Sequence, residues 1–469
     1  MEKVGILVVS YGSRAAAMID AFVRSDEYAP KIFVADKQNN PFNVKMAHKH
    51  AVIPDLDIKK ILKFAKKVED QIDFGIVGPE KPIIAGIRDL FEEETKIPLI
   101  CPTKQFAIEA SKIAQRELFE KVAPEVNPQF KVFDKKDYSS TAEVKKSVYA
   151  WLDVLNNQVA VKPDTATAGK GVGVWGDHFN SREEVFDHFL SNYEHGPVII
   201  EEKVEGEESS FQTFCDGKRL VALPESRDYK RAFDEDKGPN TGGMGAYKDA
   251  VEILPFMTQN DRDKEVELVN RVFNELKGKG SNPDLRGVPF YAAFIHTSKG
   301  PKILEVNSRP GDPEIMTLLP ALRDDFVEVC YNMVDGNLHK VNFKNQATVI
   351  TYKVPPKYGG YSTVFADKVN KDEVDTAVDL SKAYSLAKNN PDRIRVYPGS
   401  MELRDNQVFA LGSRAVGVVG MGDTIQEARE SSLEGLEAIS GGGLWNRTDI
   451  AVKEHIQKSI DHMKDLRRR

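Results

Sequence analysis

Short apolar runs alternate with helical stretches through the first hundred residues. Three of these runs predict buried strands, at Val4–Val9, Lys31–Ala35 and Phe74–Val77. Helical patterns follow the first run and separate the second from the third, so the spacing predicts a parallel sheet built from βαβ units. Such sheets bind ligands at the carboxyl ends of their strands. The candidate ligand loops are therefore those near Gly12, Asp36 and Glu80.

The apolar pattern changes after residue 101. From about 102 to 335, strands with mixed partners and one clear helix, Asp263–Lys277, predict an α+β region. Its predicted strands are Val159–Lys162, Val198–Lys203, Phe211–Phe214, Tyr291–His296 and Lys302–Val306. After Asn337 the chain is strand-rich again, with runs at Ala347–Val354, Arg393–Tyr397, Val408–Leu411 and Ala415–Val419.

Two helices are predicted near the C-terminus. The first begins at Thr424, where Thr424 and Glu427 have the spacing of a capping box. The second is a polar helix over Asp449–Arg469. We expect its three closing arginines to be solvated, since cations suit the C-terminal end of a helix.

Composition restricts the classes of protein that remain. The 469 residues carry 65 Lys and Arg against 72 Asp and Glu, a net charge of −7, with 41% hydrophobic residues. This is typical of a globular chain of two to four domains and argues against a dedicated nucleic-acid partner. The early apolar runs are too short to span a membrane, so no membrane partner is expected. Three widely separated cysteines, Cys101, Cys215 and Cys330, predict reduced thiols and a cytoplasmic protein.

Several common catalytic motifs are missing from the sequence. There is no Walker A loop, no His-Glu-x-x-His and no Gly-x-Ser-x-Gly. Of the nine histidines only His48 and His50 are close together, with no further metal ligand beside them. The usual hydrolase and P-loop interpretations therefore fail.

A lysine-rich glycine turn is the first candidate for binding phosphate. Lys162 ends the strand Val159–Pro163, and Ala168–Val174, which contains Lys170, follows at once. Glycines expose backbone N–H groups and the ammonium groups supply charge, so the turn suits phosphates. The alternative is an ordinary flexible hairpin tip.

A second candidate segment runs from an apolar strand into an acidic loop, Val198–Glu208. Backbone groups at such a strand end can bind a purine edge, while a carboxylate accepts hydrogen bonds from ribose hydroxyls. The alternative is a solvated acidic turn, because acidic clusters usually face water.

The sharpest feature is the segment from Lys302 to Glu314. Residues two apart in a strand share a face, so Glu305 and Asn307 are expected to project together, with Leu304 and Val306 facing the core. Paired oxygen ligands suit a hard cation such as Mg²⁺, and Arg309 follows to hold an anion. The alternative is a polar sheet face with one ion pair.

A third loop region combines cations with glycines. Ser226–Arg231 concentrates positive charge, and Lys237–Tyr247 is glycine-rich. Its free N–H groups suit a carboxylate or a phosphate, although mere flexibility would be the default for a single loop.

Together these segments resemble the ATP-grasp ligases and, within them, the phosphoribosylamine–glycine ligase family. The motifs that carry the resemblance are Ile76–Glu80, Pro102–Lys104, Ala168–Val172, Gly238–Tyr247 and Gly311–Glu314. The resemblance implies an N-terminal parallel α/β domain over 1–101 and a split ATP-grasp core over 102–335, with a small lid subdomain at about 126–202. A strand-rich C-terminal domain with the terminal helix would cover 336–469.

The resemblance also implies the reaction. Glycine would be ligated to 5-phospho-D-ribosylamine through a glycyl phosphate, giving glycinamide ribonucleotide, ADP and phosphate in de novo purine biosynthesis. ATP would be the co-substrate, Mg²⁺ or Mn²⁺ the metal, and the chain a monomer or homodimer that takes small-molecule substrates.

By family position, three groups of residues would serve this reaction. ATP contacts would come from Lys162, Lys170, Glu201, Val204 and Glu208, and the metal ligands would be Glu305 and Asn307. Arg309 and Lys170 would be catalytic. The acceptor pocket would be lined by Glu80, Asp228, Lys230, Arg231, Gly242, Gly243, Gly245, Gly311 and Asp312.

The sequence departs from the family pattern at several positions. The opening loop reads Gly12-Ser-Arg-Ala-Ala-Ala17 in place of Gly-Gly-Arg-Glu-His, and Ala292 and Ala293 lie where many ATP-grasp enzymes carry another metal ligand. Another ATP-grasp carboxylate–amine ligase is therefore the main alternative. A dinucleotide-binding protein using Asp36 lacks the required glycines, and a non-catalytic ATP-binding regulator conflicts with the intact Glu305, Asn307 and Arg309.

Overall fold

The computed structural model describes residues 1–164, 171–360 and 369–468. Within them, four sheets of four or five strands carry most of the architecture, joined by three two-stranded ribbons. The predicted fold class, α/β and α+β in several domains, is confirmed.

The N-terminal sheet is parallel, in the order β3-β2-β1-β4-β5. Its strands are β1 (Glu2–Val9), β2 (Tyr28–Asp36), β3 (Lys49–Val52), β4 (Phe74–Val77) and β5 (Leu99–Ile100). The helices around it are α1 (Gly12–Val23), α2 (Pro41–Met46), α3 (Ile58–Lys66), α4 (Glu80–Ile84) and α5 (Ile87–Glu94). The βαβ prediction is therefore confirmed, and the loops after β1 and β4 lie at the same edge of the sheet.

An antiparallel sheet in the order β6-β9-β7-β8 follows in the chain. Its strands are β6 (Phe130–Phe133), β7 (Val159–Pro163), β8 (Gly173–Val174) and β9 (Val198–Glu202). The helices of this part are α6 (Lys112–Val122), α7 (Thr141–Val154) and α8 (Arg182–Tyr193). Ser181 and Glu184 form a complete capping box at the start of α8, which fixes where that helix begins.

The next part of the chain holds eight strands and one long helix. The strands are β10 (Glu207–Asp216), β11 (Leu220–Ala222), β12 (Arg227–Asp228), β13 (Arg231–Phe233), β14 (Lys237–Asn240), β15 (Gly245–Lys248), β16 (Arg286–Thr297) and β17 (Gly300–Asn307). The helix α9 covers Gln259–Lys277. Strands β11, β10, β16 and β17 form an antiparallel sheet, whereas β13 and β14 form a separate ribbon.

A bulge in β17 overturns one prediction about its faces. Ala293 pairs with Glu305, but the next residue, Phe294, pairs with Ile303, so Leu304 is the extra residue. Ile303 and Val306 belong to the core cluster on this sheet, and Leu304 does not. The expectation that Leu304 faces the core is wrong, because simple alternation does not hold across a bulge.

The C-terminal sheet combines strands from two parts of the chain. The remaining helices are α10 (Ile315–Leu318), α11 (Phe326–Asp335), α12 (Ser381–Asn389), α13 (Ile425–Glu437) and α14 (Lys453–Arg468). The remaining strands are β18 (Ala347–Lys353), β19 (Val378–Asp379), β20 (Ile394–Pro398), β21 (Met401–Arg404), β22 (Gln407–Ala410), β23 (Val416–Gly422) and β24 (Ser440–Gly441). The sheet order is β12-β15-β18-β23-β20, so it draws strands from both sides of residue 335. The domain boundaries stay predictions.

One core cluster joins the N-terminal, central and C-terminal sheets around α1. Ten of the twelve residues of α1 are buried. Phe22 stacks on Phe326 of α11 with ring centroids 4.7 Å apart, and the Tyr397 hydroxyl of β20 donates to Asp20 over 2.9 Å. These contacts fix the position of the N-terminal sheet, and with it the loop that precedes α1, relative to the other sheets.

Two details at the C-terminus differ from the sequence predictions. The Thr424 hydroxyl caps α13 by accepting from the Glu427 amide, but the Glu427 carboxylate accepts from the Asp423 amide and not from Thr424. The cap is confirmed, while the reciprocal capping box is wrong. The terminal helix begins at Lys453, and Arg467 is not simply solvated, because its Nη2 lies 2.6 Å from Asp261 Oδ2.

All three cysteines are buried and free. Across the described residues, no helix combines the length and the apolar character needed to cross a bilayer.

Candidate active site

A polar cavity of about 210 Å³ lies where the N-terminal loops, the start of α6, the end of β17 and the glycine-rich loop before β15 meet. Nine of the residues singled out from the sequence line it, and they come from all of these elements except α6. They are Glu80, Asp228, Lys230, Gly242, Glu305, Asn307, Arg309, Gly311 and Asp312.

The end of β17 places two oxygen ligands side by side. Asn307 Nδ2 lies 3.5 Å from Glu305 Oε1, and the residues opposite them on β16 are Tyr291 and Ala293, which add no further carboxylate. Burial would raise the pKa of Glu305, but the surrounding cations Lys112, Lys162, Lys230 and Arg309 lower it. A charged carboxylate beside an amide oxygen fits a hard divalent cation.

Arg309 is held between two carboxylates. Its Nη2 lies 3.0 Å from Glu109 Oε1, and its Nε lies 3.4 Å from Glu80 Oε2. Burial raises the pKa of Glu109 in spite of Arg309, whereas Arg309 and Arg14 outweigh burial at Glu80 and lower its pKa. The guanidinium is thus oriented before any ligand arrives.

Lys162 and Glu201 form a buried pair with a second cation. Lys162 Nζ lies 2.6 Å from Glu201 Oε2, and Arg116 binds the same carboxylate through Nε and Nη2 at 2.6 and 3.0 Å. Burial would raise the pKa of Glu201, but Arg116 and Lys162 lower it to about 2. Both oxygens of Glu201 are therefore taken by cations.

Arg116 also reaches β17, the strand that carries Glu305 and Asn307. Its Nη1 and Nη2 donate to the carbonyl oxygens of Ile303 and Leu304 over 2.7 and 2.9 Å. These carbonyls belong to the bulged residue and the one before it, so Arg116 ties the bulge in β17 to the strand that carries Glu201. Sequence reasoning missed this residue, because a lone arginine within a helix carries no motif.

Lys230 makes two ion pairs at the edge of the cavity. Its Nζ lies 2.5 Å from Glu208 Oε2 and 3.2 Å from Asp228 Oδ1. Burial opposes the charge on Lys230, but Asp228 and Glu208 raise its pKa well above the ordinary value. The predicted ribose ligand Glu208 and the predicted acceptor residues are thus in contact.

The glycine-rich loop is fixed by an arginine from the C-terminal part of the chain. Arg414 Nη1 lies 2.9 Å from Asp312 Oδ1 and donates to the Gly242 carbonyl over 2.7 Å. Gly243 has φ +103°, and a Cβ there would lie 2.6 Å from Pro313 Cδ. Only glycine fits this position, since the backbone and the neighbour both exclude a side chain.

Some predicted residues lie away from the cavity. Arg231 is bound to the Asp236 carbonyl, Gly245 lies inside β15, and Val204 follows β9. Lys170 lies outside the described residues. Asp36, which the dinucleotide alternative requires on a ribose, is fully buried and accepts from Asn43 Nδ2 over 2.7 Å.

Apart from Glu314, which ends one of the motifs of the resemblance, four charged residues of the cavity were not predicted as site residues: Arg14, Glu109, Lys112 and Arg414. Arg14 had a signal, because it follows the loop near Gly12 at the carboxyl end of β1. The other three come from distant segments that only the folded chain brings together.

Known proteins match this arrangement along nearly the whole chain. Three family models match, described as phosphoribosylglycinamide synthetase N domain at residues 4–109, ATP-grasp (A) domain at 119–315 and C domain at 371–453. The phosphoribosylamine–glycine ligase of Methanocella arvoryzae is 36% identical over 98% of this chain and 99% of its own. That of Methanosarcina acetivorans is 35% identical over 99% and 98%.

A solved structure agrees with the fold. The crystal structure of phosphoribosylamine–glycine ligase from Thermotoga maritima superimposes with a TM-score of 0.72 at 21% identity, covering 95% of this chain and 100% of that one. The expected ATP-grasp resemblance is confirmed by these matches: the chain belongs to the phosphoribosylglycinamide synthetase family, the phosphoribosylamine–glycine ligases.

Proposed function

We propose that this protein ligates glycine to 5-phospho-D-ribosylamine with cleavage of ATP, giving glycinamide ribonucleotide, ADP and phosphate in de novo purine biosynthesis. The observation that carries the proposal is the cavity in which Glu305, Asn307 and Arg309 meet the N-terminal and glycine-rich loops. The full-length likeness to relatives that bear this name supports the choice of substrates.

The chemistry proceeds in two transfers. A glycine carboxylate oxygen attacks the γ-phosphorus of ATP, so that ADP leaves and glycyl phosphate forms. The amine nitrogen of phosphoribosylamine then attacks the acyl carbon, phosphate leaves, and the nitrogen loses a proton. A carboxylate needs this activation because its oxygen is otherwise a poor leaving group, and both steps depend mainly on positioning and neutralised charge.

ATP is assigned to the side of the cavity nearest the antiparallel sheet β6-β9-β7-β8, where Lys162 Nζ lies 3.5 Å from the carbonyl oxygen of Leu304 in β17. The proposed contacts are Lys162, Lys170, Glu201, Val204 and Glu208. Lys162, at the carboxyl end of β7, already forms an ion pair with Glu201. Arg309 would hold the phosphoryl group during its transfer. Glu305 and Asn307 would hold Mg²⁺ or Mn²⁺, which supplies charge neutralisation on the phosphates.

The acceptor side is assigned to the opposite wall of the cavity. The proposed residues on this wall are Glu80, Asp228, Lys230, Gly242, Gly311 and Asp312. Family position adds Gly243, next to Gly242, and also Arg231 and Gly245, which lie away from the cavity. We further propose that the enzyme acts in the cytoplasm, since its three cysteine thiols are free. We also propose that it is a monomer or a homodimer.

The test is ADP release by the purified protein with each substrate omitted in turn. We expect steady-state ADP formation to require both glycine and phosphoribosylamine. ADP production that ignores glycine, or that proceeds equally with alanine, contradicts the substrate assignment and favours another carboxylate–amine ligase.

A further inference from the structure

A second cavity, also of about 210 Å³, lies between α14 and the strands β10, β12 and β15. Arg227, Tyr229 and Tyr247 line its inner part, and α14 contributes Lys458 and His462. No residue assigned to the proposed reaction lies in it. The match to the family C domain ends at residue 453, where α14 begins.

This cavity and the active site lie on opposite faces of the same strands. Arg227 and Tyr229 line the second cavity, while Asp228 and Lys230, which alternate with them, line the first. Side chains alternate between faces in extended chain, so the two cavities are separated by one layer of strands. Substitutions that line only one of the two cavities can therefore show which cavity a ligand occupies.

The inner part of the second cavity has unused hydrogen-bond donors. The Tyr247 side chain is fully buried, and its hydroxyl has no hydrogen-bond partner among residues 1–164, 171–360 and 369–468. The Tyr229 hydroxyl accepts from the Ala451 amide over 3.0 Å, which leaves its own proton to donate. Arg227 makes both of its hydrogen bonds through Nη1, to Glu207 and Ser459.

The acceptors of the same cavity already have partners. Glu207 lies 2.6 Å from Arg227 Nη1 and 2.6 Å from His462 Nδ1. At the mouth, Asp236 pairs with Arg447 over 2.9 Å and Glu235 with His455 over 3.2 Å. What this cavity lacks is therefore an acceptor, and a buried donor without one is costly.

We propose that this cavity is a binding site for a small oxyanion, a phosphate or carboxylate group. The oxyanion accepts from the hydroxyls of Tyr247 and Tyr229 and from Arg227, and Lys458 at the mouth adds a positive charge. The site is independent of the proposed reaction, because no group assigned to catalysis takes part.

The test measures binding of inorganic phosphate and of acetate to the full chain, by calorimetry and by thermal unfolding, without other substrates. We expect at least one of the two anions to bind. The anion with the lower dissociation constant shows whether the site takes a phosphate group or a carboxylate group. Lys458→Met should weaken its binding about tenfold, as expected for loss of a charged partner. Lys464→Met, on the same helix but paired with Asp461, is the matched control and should bind as the parent does.

Tyr247→Phe gives a second measurement that does not depend on charge. Without ligand, this variant should unfold at the same or a higher temperature, because it removes an unsatisfied buried hydroxyl. It should nevertheless lose most of the stabilisation by the anion. The proposal is overturned if neither anion binds, if both variants bind as the parent does, or if Arg309→Ala abolishes the binding.

Discussion

Glu305 in the active-site cavity and Glu265 in the packing between α9 and β16 are both glutamates drawn away from bulk water, yet their pKa values shift in opposite directions. Lys112, Lys162, Lys230 and Arg309 lower the pKa of Glu305 against the effect of burial. Burial raises the pKa of Glu265 to about 7, and the nearby Asp261 carboxylate adds to this rise, although hydrogen bonds with Glu225 and Ser209 and the charge of Arg262 act in the opposite direction.

The region around Glu265 is a closed network. Glu265 Oε1 lies 3.1 Å from His296 Nε2 and accepts from the Ser209 hydroxyl over 3.0 Å. Arg262 binds Glu225 and donates to the Leu223 carbonyl. One arginine faces two carboxylates, so the network keeps a proton, whereas several cations around Glu305 keep that carboxylate charged. Cations around a carboxylate that lines a cavity keep it available as a charged ligand, whereas a shared proton in the core indicates packing.

The largest expected effect is on activity, which should depend on Glu305 and not on Glu265. Glu305→Ala should lower ADP formation on the order of a thousandfold, because it removes one of the two proposed metal ligands. The fold should remain, since Glu305 is not part of a core cluster. Glu265→Gln is the control and should keep near-normal turnover. Near-normal activity of Glu305→Ala, measured in the same ADP assay, contradicts the metal assignment.

The second prediction concerns stability against pH. The pKa of Glu265 is about 7 in the folded chain and ordinarily 4.5, so the folded protein keeps a proton that the unfolded chain releases between these values. This contribution is fully present below pH 4.5 and is lost as the pH rises through 7. It amounts to about 3 kcal/mol.

Denaturant unfolding at pH 5 and pH 7.5 measures this contribution. His296 also titrates here, but with the opposite sign, because burial lowers its pKa. The comparison is therefore between the parent and Glu265→Gln at each pH. The stability advantage of the parent should shrink by about 2 kcal/mol from pH 5 to pH 7.5, because part of the contribution is already lost at pH 5 and part still remains at pH 7.5. An advantage that stays constant would mean that Glu265 is charged in the folded chain.

The third prediction tests whether Glu109 positions Arg309. Glu109→Gln should lower kcat about tenfold with little change in the KM for ATP, because the guanidinium loses its 3.0 Å partner. Glu109→Asp should recover part of the loss. If kcat is unchanged in both variants, Glu80 alone suffices to orient Arg309.

Much of the fold could be predicted from local patterns. The strand Phe74–Val77 has the bounds that the apolar run indicated, and the pairing of Glu305 with Asn307 followed from strand alternation. The bulge at Leu304 could not be predicted, because it depends on the register with β16 and on Arg116 holding the Leu304 carbonyl.

The residues of the candidate site also fall into those that the sequence could predict and those that it could not. Residues within motifs, such as Arg309 and Asp312, could be found because several of them lie close together in the sequence. Arg414 reaches Asp312 from about a hundred residues away, with no motif around it. Contacts of this kind depend on how whole sheets pack, which local periodicity does not encode.

The smallest effect is expected at the outer edge of the Glu265 network. Arg467 Nη2 lies 2.6 Å from Asp261 Oδ2 and 3.0 Å from the Phe256 carbonyl, but a third of the Arg467 side chain is exposed. Asp261 is also held by Thr258, whose amide and hydroxyl both donate to Oδ2 over 2.7 Å. Because these bonds remain, Arg467→Ala should lower the free energy of unfolding by less than about 1 kcal/mol.

The matched control is Arg468→Ala at the next position. Arg468 is 78% exposed and pairs only along its own helix, with Asp465. Its loss should therefore leave the denaturation midpoint unchanged. If Arg467→Ala instead costs several kcal/mol, α14 is needed to keep Asp261 and the buried network in place. The last turn of α14, which carries Arg467, would then belong to the packed core and not to the solvated surface.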